Sequence, residues 1–212
     1  MGGSLRIVRL LNDAPDLSAL AEAAGILREG GLVAFPTETV YGLGADATNP
    51  AAIARLNRVK GRPPEKPYSL HLHSIDQVRA LAGPMPSAAE RLMATFWPGP
   101  LTLVLPSRSG GSIGFRIPDH PIAQAFLKAC GVPVAAPSAN RSGHPPPTDA
   151  GEALAALEGE FDCLLDGGPT RLGRESTVVQ ALGDRVEILR EGAVSRAAIE
   201  SALNVRPKTH DP

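Results

Sequence analysis

The length, composition and charge of the chain favour a single α/β domain. Its 212 residues, 43% of them hydrophobic, are enough to bury one sizeable core. The formal net charge of -1 excludes the overall basic field of a nucleic-acid coat protein, so any contact with RNA would be local. Because no apolar run is long enough for a signal peptide or a membrane span, we expect a soluble, cytoplasmic protein.

The two cysteines, Cys130 and Cys163, give no sign of a metal site or a disulfide framework. They are far apart, form no CxxC pair and have no histidines at ligand spacing. A reducing compartment is the simplest setting for such a chain. We predict that both thiols are buried packing residues.

The chain begins with predicted elements in the order strand, helix, strand. Their bounds are residues 5–10, 17–29 and 32–35. Asn49 and Pro50 then offer an N-cap and a first-turn proline to a second helix, which must end before Pro63. Lys60 and Arg62 are therefore expected at the exit of that helix.

Residues 68–73 alternate strictly, which predicts a strand with His71 on the face opposite the apolar side chains. Ser74 and Ser87 are expected to cap helices at residues 75–81 and 88–96. A buried strand at 101–105 leads into the loop-like segment 106–111, which is either a plain hairpin connection or a mobile flap.

Residues 113–117 alternate again and place Arg116 away from the apolar side of the next strand. Pro121 opens a helix, and a buried strand at 132–136 precedes Ser138 and Asn140. A further helix is expected to be capped at Thr148 or Asp149. The remaining predicted elements are strands at 163–166, 176–182 and 186–190 and a helix at 196–203 capped by Ser195.

The order of these elements predicts the fold class. Strands and helices alternate first and strands cluster later, which indicates a twisted mixed parallel and antiparallel sheet flanked by helices. We expect one domain over residues 1–205 with an open concave crevice, and a disordered tail over residues 206–212.

Polar residues are concentrated where the predicted strands and helices end. In open α/β sheets such positions converge on one crevice. They comprise Thr37, Glu38, Thr39, Lys60, Arg62, His71, Arg116, Ser138, Asn140, Ser176, Thr177 and Arg190. Because the chain has neither GxxxxGK[ST] nor a complete dinucleotide glycine turn, a nucleotide would have to be held in another way.

Several of these positions allow two interpretations from the residues alone. Lys60 and Arg62 suit a polyphosphate, but they also suit an ordinary basic helix terminus. Arg116 is either an anion site or a surface ion pair. His71 is either a ligand or a satisfied histidine, and Ser138 to Asn140 is either a binding loop or a helix cap.

The chain contains no Ser-His-Asp order, no HExxH and no obvious carboxylate pair, which argues against hydrolysis by a strong nucleophile or a protein-bound metal. Phosphoryl or nucleotidyl transfer fits better, because it depends mostly on positioning and electrostatic stabilisation. The residues by themselves therefore indicate an anion-binding α/β enzyme.

Six motifs in register resemble the YrdC-like threonylcarbamoyl-AMP synthase family from about residue 30 to residue 192. The K-x-R pair Lys60 and Arg62 and the S-x-N pair Ser138 and Asn140 resemble the signature of active synthases. The motifs are FPTETVYGLG at 35–44, KGRP at 60–63, WPGPLT at 97–102, RIP at 116–118, APSANRSG at 136–143 and ESTV at 175–178.

The resemblance implies an L-threonylcarbamoyladenylate synthase that joins L-threonine, bicarbonate and ATP for the threonylcarbamoyladenosine modification of tRNA. It implies a nucleotidyltransferase in which Lys60 and Arg62 are catalytic, and Mg²⁺ arrives on ATP without a protein metal site. The implied threonine-binding residues are Thr39, His71, Arg116, Ala136 and Ser176. The implied ATP-binding residues are Arg62, Lys66, Ser112, Ser138, Asn140 and Arg190.

Two departures from the family pattern limit this transfer of roles. Lys66 stands where many relatives have asparagine or another neutral residue. The chain has no room for the extra C-terminal domain of the long form, so it resembles the short bacterial-type form, which implies partner proteins for the transfer to tRNA.

Three other interpretations remain. One is a YciO-like paralogue, and another is the carbamoyl-transferring part of hydrogenase-maturation proteins, which usually carries zinc-ligand cysteines that this chain lacks. The third is an RNA-binding module of the same fold, with weak contact to tRNA or double-stranded RNA. The net charge and the lack of an aromatic-basic platform favour this module less.

Overall fold

The computed structural model describes residues 5–10, 16–63, 67–183 and 185–204. The helices are α1 (Leu17–Arg28), α2 (Pro50–Lys60), α3 (Ile75–Leu81), α4 (Ser87–Phe96), α5 (Pro121–Cys130), α6 (Ala150–Ala156) and α7 (Arg196–Asn204). The strands are β1 (Arg6–Arg9), β2 (Val33–Phe35), β3 (Gly42–Asp46), β4 (Leu70–His71), β5 (Leu101–Pro106), β6 (Ser112–Arg116), β7 (Val134–Ala135), β8 (Cys163–Asp166), β9 (Thr177–Leu182) and β10 (Arg185–Arg190). The expected tail at 206–212 lies outside the described residues.

The strands form one mixed sheet in the order β1-β8-β2-β3-β7-β4-β6-β5-β9-β10. The pairs β1/β8, β2/β8, β4/β6 and β5/β9 are parallel. The pairs β2/β3, β3/β7, β4/β7, β5/β6 and β9/β10 are antiparallel. The predicted mixed sheet flanked by helices is thus confirmed.

In the half of the sheet around β2, both faces are covered by helices. Val33 and Phe35 pack in a cluster with α1 and α5, whereas Ala34 packs in another cluster with α2 and α6. Because successive residues of a strand point to opposite faces, one short strand serves both clusters. This explains why β2 is apolar at every position, as expected for a strand buried on both sides.

The half of the sheet around β5 is different. Leu101, Leu103 and Leu105 of β5 point into a third cluster, which includes residues of α3, α4 and α7. Thr102 points to the opposite face, which carries polar side chains from β4, β6 and β10 as well. Alternation therefore separates an apolar face from a polar face that is free to form a site.

The sequence predictions missed β3, because two of its five residues are glycines, which weaken strand patterns. Both glycines are explained by close packing. A Cβ on Gly44 would lie 3.1 Å from the Phe35 ring and 3.0 Å from Val134, and a Cβ on Gly42 would lie 3.4 Å from the same ring. The strand is thus specified by its neighbours in the fold and not by its own residues.

Other bounds differ from the predictions in detail. The strand expected at 68–73 pairs only over Leu70–His71, and the one expected at 132–136 only over Val134–Ala135. Ser87 is the first residue of α4 and not its cap; Pro86 takes the cap position without a side-chain hydrogen bond. The connection at 106–111 is a hairpin between antiparallel strands, as one of its two interpretations held.

Candidate active site

A polar cavity of about 600 Å³ lies on the open face of β4, β5, β6, β9 and β10. The end of α2 and the loops that follow β2 and β7 complete its walls. Of the predicted site residues, it is lined by Lys60, Arg62, His71, Arg116, Ala136, Ser138, Asn140, Ser176 and Arg190. The expectation that polar residues at the ends of elements converge on one crevice is confirmed for these positions.

Two predicted residues do not line the cavity, and a third is outside the described residues. Thr39 is buried directly behind the cavity and contacts Arg116. Ser112 is exposed at the start of β6, where it pairs with Pro106, and is not among the residues that line the cavity. Lys66 lies outside the described residues.

A second depression, of about 660 Å³, lies beside Gly30 and Gly31, far along the sheet from the polar face. The Arg55 guanidinium in its wall forms a two-pronged ion pair with Asp162. Since these charges already neutralise each other, we place the functional site in the cavity where several cations and hydroxyl groups converge.

Arg116 is a buried cation at the end of β6, with only 4% of its surface exposed. Its Nη2 donates a hydrogen bond to Thr39 Oγ1 at 2.8 Å, and its Nε donates to Gly99 O at 3.4 Å. Glu38 Oε1 lies 2.9 Å from Nη2 and forms a buried ion pair with it. The proposed surface ion pair of Arg116 is therefore wrong, because both partners are inside the protein.

Glu38, which was expected near the crevice without an assigned role, is the partner of Arg116 in this ion pair. It is 1% exposed, and the geometry of the ion pair is such that neither carboxylate oxygen accepts a hydrogen bond from the described residues. A buried carboxylate with unused lone pairs is costly, so the interaction with Arg116 must offset much of its desolvation. Glu38 is consequently the buried counter-charge of Arg116.

The turn that carries Glu38 is held by two threonines. Thr37 Oγ1 donates to Val40 O at 2.7 Å and accepts from the backbone N–H groups of Thr39 and Val40 at 3.2 and 3.3 Å. Its hydroxyl also lies 2.8 Å from Thr39 Oγ1. Such local side-chain bonds replace strand pairing and build a rigid turn where β2 ends.

His71 is next to Arg116 in the register of β4 and β6. Burial, and then the positive charge of Arg116, lower the pKa of His71 to about 3, so its ring is neutral at physiological pH. Its Nδ1 has no hydrogen-bond partner among the described residues. A neutral imidazole with an unused nitrogen can accept or donate a hydrogen bond to a ligand in the cavity.

Lys60 is buried at the end of α2, and its Nζ donates hydrogen bonds to Ser138 O and Asn140 O. Ser142 N in turn donates to Lys60 O at 2.8 Å. Burial, followed by the charge of Arg62, lowers the pKa of Lys60 to about 8. The K-x-R and S-x-N motifs are thus joined in space: the lysine holds the loop that carries the serine and the asparagine.

Arg62 follows the left-handed Gly61 that ends α2. Its Nη2 donates to Pro67 O at 3.0 Å, and its guanidinium lies 4.8 Å from the centre of the Tyr68 ring. Tyr68 is anchored by a hydrogen bond to Asn57 at 2.7 Å. The α2 terminus therefore presents a supported cation to the cavity.

Ser176, Thr102 and Arg190 form a connected group at the other wall. Thr102 Oγ1 and Ser176 Oγ are 2.8 Å apart, and Arg190 Nη2 donates to Ser176 O at 2.9 Å. Arg190 Nη1 also donates to Glu175 Oε1 at 2.8 Å. Thr102 and Glu175 were not predicted as site residues, although Thr102 interrupts an apolar strand on its polar face, which is a signal in the sequence.

The comparisons with known proteins identify the family. The Sua5/YciO/YrdC family model, whose description is "Telomere recombination", matches residues 25–192. The chain belongs to this family. A relative named threonylcarbamoyl-AMP synthase from Bacillus subtilis is 44% identical over 194 residues, which are 87% of this chain and 56% of the relative.

Solved structures of the family have the same fold. Sua5 of P. abyssi, in a complex with L-threonine, is 40% identical with a TM-score of 0.88 and covers 95% of this chain, while this chain covers 61% of it. E. coli YciO is 27% identical with a TM-score of 0.79, covering 89% of this chain and 96% of YciO. This chain thus spans little more than half of the B. subtilis relative and of P. abyssi Sua5.

The part of the chain that the structure describes contains no helix that is both long and apolar enough to cross a membrane. Within the same ranges, no three histidine, cysteine or acidic side chains are grouped as a metal site. Both cysteines are buried, as predicted, and burial raises the pKa of Cys130 to about 12 and that of Cys163 to about 11.

Proposed function

We propose that the protein is a nucleotidyltransferase that makes threonylcarbamoyl-AMP and pyrophosphate from L-threonine, bicarbonate and ATP. The observation that carries the proposal is the convergence of Arg116, Arg62 and Arg190 on one cavity. The names of the B. subtilis relative and of the threonine-bound Sua5 structure support it. The product would serve the threonylcarbamoyladenosine modification of tRNA, with partner proteins performing the transfer.

Threonine is proposed to bind at the Arg116 end of the cavity. The Arg116 guanidinium would take the carboxylate, since it is a buried cation already oriented by Thr39 and Glu38. His71 and the Ser176 hydroxyl, which line the same region, would contact the amine and the hydroxyl group, and Ala136 would close the pocket.

ATP is proposed to bind towards Arg62, Ser138 and Arg190. Arg62 would stabilise the charge that develops on the phosphates. Lys60 already donates to two backbone carbonyls, so we assign it the positioning of the loop with Ser138 and Asn140. Contacts of Lys66 and Ser112 with ATP stay predictions.

The proposed reaction has two steps. The threonine amine attacks the carbon of bicarbonate, a C–N bond forms, and water leaves to give a carbamate. A carbamate oxygen then attacks the α-phosphorus of ATP in line, while the bond to the bridging oxygen breaks and pyrophosphate departs. Mg²⁺ carried by ATP would neutralise part of the phosphate charge, and the residues of the cavity would hold the reactants in line.

The test is pyrophosphate release by purified protein given L-threonine, bicarbonate, Mg²⁺ and ATP. We expect release that requires threonine and that is mostly lost in Arg62→Ala and Arg116→Ala. Release without threonine, or none, would contradict the proposal and favour a paralogue such as YciO. Salt-sensitive tRNA binding without any turnover would favour the RNA-binding module.

A further inference from the structure

Glu175 places a negative charge in a cavity whose other charged lining groups are cations. Among the described residues that line the cavity, Glu175 is the one with a carboxylate, beside Lys60, Arg62, Arg116 and Arg190. A site that binds a polyphosphate gains affinity from each cation and loses affinity from each nearby anion. The presence of Glu175 therefore needs an explanation.

The Glu175 carboxylate contacts a cation that the proposed function gives to ATP. Its Oε1 accepts a hydrogen bond from Arg190 Nη1 at 2.8 Å. The side chains of Glu175 and Arg190 are 38% and 43% exposed, so the pair faces the open cavity and not the core. A phosphate that approaches Arg190 must share it with Glu175 or displace the carboxylate.

Glu175 is not needed to hold Arg190 in place. Arg190 Nε and Nη2 also donate to Ser176 O at 3.3 and 2.9 Å, and Nη2 lies 3.4 Å from Ser176 Oγ. These contacts hold the guanidinium against the backbone of Ser176, the residue that precedes β9. Loss of the carboxylate would consequently change the charge at this wall and leave the position of Arg190 unchanged.

We propose that Glu175 is a specificity-determining residue that makes the cavity prefer the magnesium complex of a nucleoside triphosphate over the metal-free form. Mg²⁺ cancels about two of the roughly four negative charges on the triphosphate. Repulsion by Glu175 therefore acts more strongly on the metal-free nucleotide. This inference rests on the proposed function, because it takes ATP as the ligand of the cavity.

The experiment is titration calorimetry of ATP, once with EDTA and once with excess Mg²⁺, on wild-type protein and Glu175→Gln. We expect Glu175→Gln to bind metal-free ATP about fivefold more tightly and the magnesium complex about twofold more tightly, the scale of a partly exposed ion pair. The ratio of the dissociation constant of metal-free ATP to that of the magnesium complex should thus fall by a factor of about two to three. This fall should be smaller at high salt because the charges are screened.

Two further variants separate charge from structure. Glu191→Gln removes the same charge from an exposed residue outside the lining and should keep the wild-type preference. Glu175→Asp keeps the charge and should keep most of the preference as well. Melting curves of all variants verify that the proteins compared are folded.

An unchanged preference in Glu175→Gln, in a wild-type background that binds ATP and turns over, would overturn this inference and leave the proposed function intact. Weaker binding of both forms of ATP by Glu175→Gln would also overturn it, because the carboxylate would then assist the nucleotide. Wild-type protein that binds neither form would remove the proposed function together with the inference.

Discussion

Side chains alternate between the two faces in both halves of the sheet, but the halves differ in how many faces are covered by helices. Around β2, helices cover both faces, and the strand is apolar at every residue. Around β5, one face packs against a cluster with α3, α4 and α7, while the other carries Thr102 and faces the cavity. The comparison teaches that stability resides on three of these faces and the proposed chemistry on the fourth.

The largest expected effect falls on the half that is covered on both faces. Phe126 of α5 is fully buried and packs 5.2 Å from Phe35 between ring centres, so Phe126→Ala should lower the free energy of unfolding by about 3 to 5 kcal/mol. The KM for threonine should stay near the wild-type value. Urea denaturation and steady-state kinetics measure the two quantities.

Lys128→Ala is the matched control on the same helix. Lys128 is exposed, and its replacement should change the free energy of unfolding by less than about 0.5 kcal/mol. A Phe126→Ala protein with the wild-type free energy of unfolding but without threonine binding would contradict the assignment of stability to this half and of binding to the other.

The second effect concerns the buried ion pair of Arg116 and Glu38, which lies beside the cavity. Breaking this pair should lower the free energy of unfolding. Arg116→Met leaves Glu38 buried without its partner and should cost about 3 to 5 kcal/mol of unfolding free energy. Combining it with Glu38→Leu should recover most of that loss, because the unpaired charge is gone. Pyrophosphate release should stay lost in both variants.

The outcome that would contradict this prediction is recovery of turnover in the double variant, since Arg116 could not then be the ligand of the threonine carboxylate. A double variant as unstable as Arg116→Met would show instead that the two charges are not coupled. Guanidinium denaturation and the pyrophosphate assay distinguish these cases.

Arg62→Ala should lower kcat/KM by a factor that corresponds to about 2 to 4 kcal/mol of lost transition-state stabilisation, as for other preorganised charge stabilisers. The free energy of unfolding should change little. Arg58→Ala removes an exposed arginine from the last turn of α2, outside the cavity lining, and should leave kcat/KM near wild type. Equal losses in the two variants would mean that general positive charge at the end of α2 matters, and not the position of Arg62.

The smallest predicted effect is a pH dependence from Lys60. Its folded-state pKa of about 8 lies below the ordinary lysine value of 10.5, so between these pH values the unfolded chain binds the proton more tightly. The contribution of Lys60 to the free energy of unfolding should therefore become more favourable as the pH rises from 8 to 10.5. The free energy of unfolding of wild type minus that of Lys60→Met should be about 1 to 2 kcal/mol more positive at pH 10 than at pH 7.5, as measured by urea denaturation.

A difference between wild type and Lys60→Met that is the same at both pH values would show that burial does not shift the pKa of this lysine. In that case the two backbone carbonyls that accept its hydrogen bonds would compensate fully for its desolvation.

The sequence predicted those helices and strands whose bounds are set by their own residues. Helix α3 begins after its Ser74 cap and ends at the predicted residue, and strand β8 has the predicted bounds. Strand β3 was missed because its glycines fit against Phe35 and Val134, which are distant in sequence. The hairpin at 106–111 was one of two open interpretations, because glycine and serine permit either.

The cations of the site were predictable, but their partners were not. A lysine or arginine at the end of an element is visible in the sequence. The contacts of Arg116 with Thr39 and of Thr102 with Ser176 join residues 77 and 74 positions apart, and only the assembled sheet brings them together. Glu38 and Glu175 could not be assigned for the same reason, since a carboxylate pattern does not reveal which cation it meets.

The central claim is that the polar face of the β5 half joins threonine, bicarbonate and ATP. The most direct measurement is incorporation of ¹⁴C-bicarbonate into an adenylated product, separated by chromatography and compared with pyrophosphate released in the same tube. The account predicts incorporation that requires both threonine and ATP and equals the pyrophosphate released. Pyrophosphate release without labelled product, or labelled product without threonine, would contradict it.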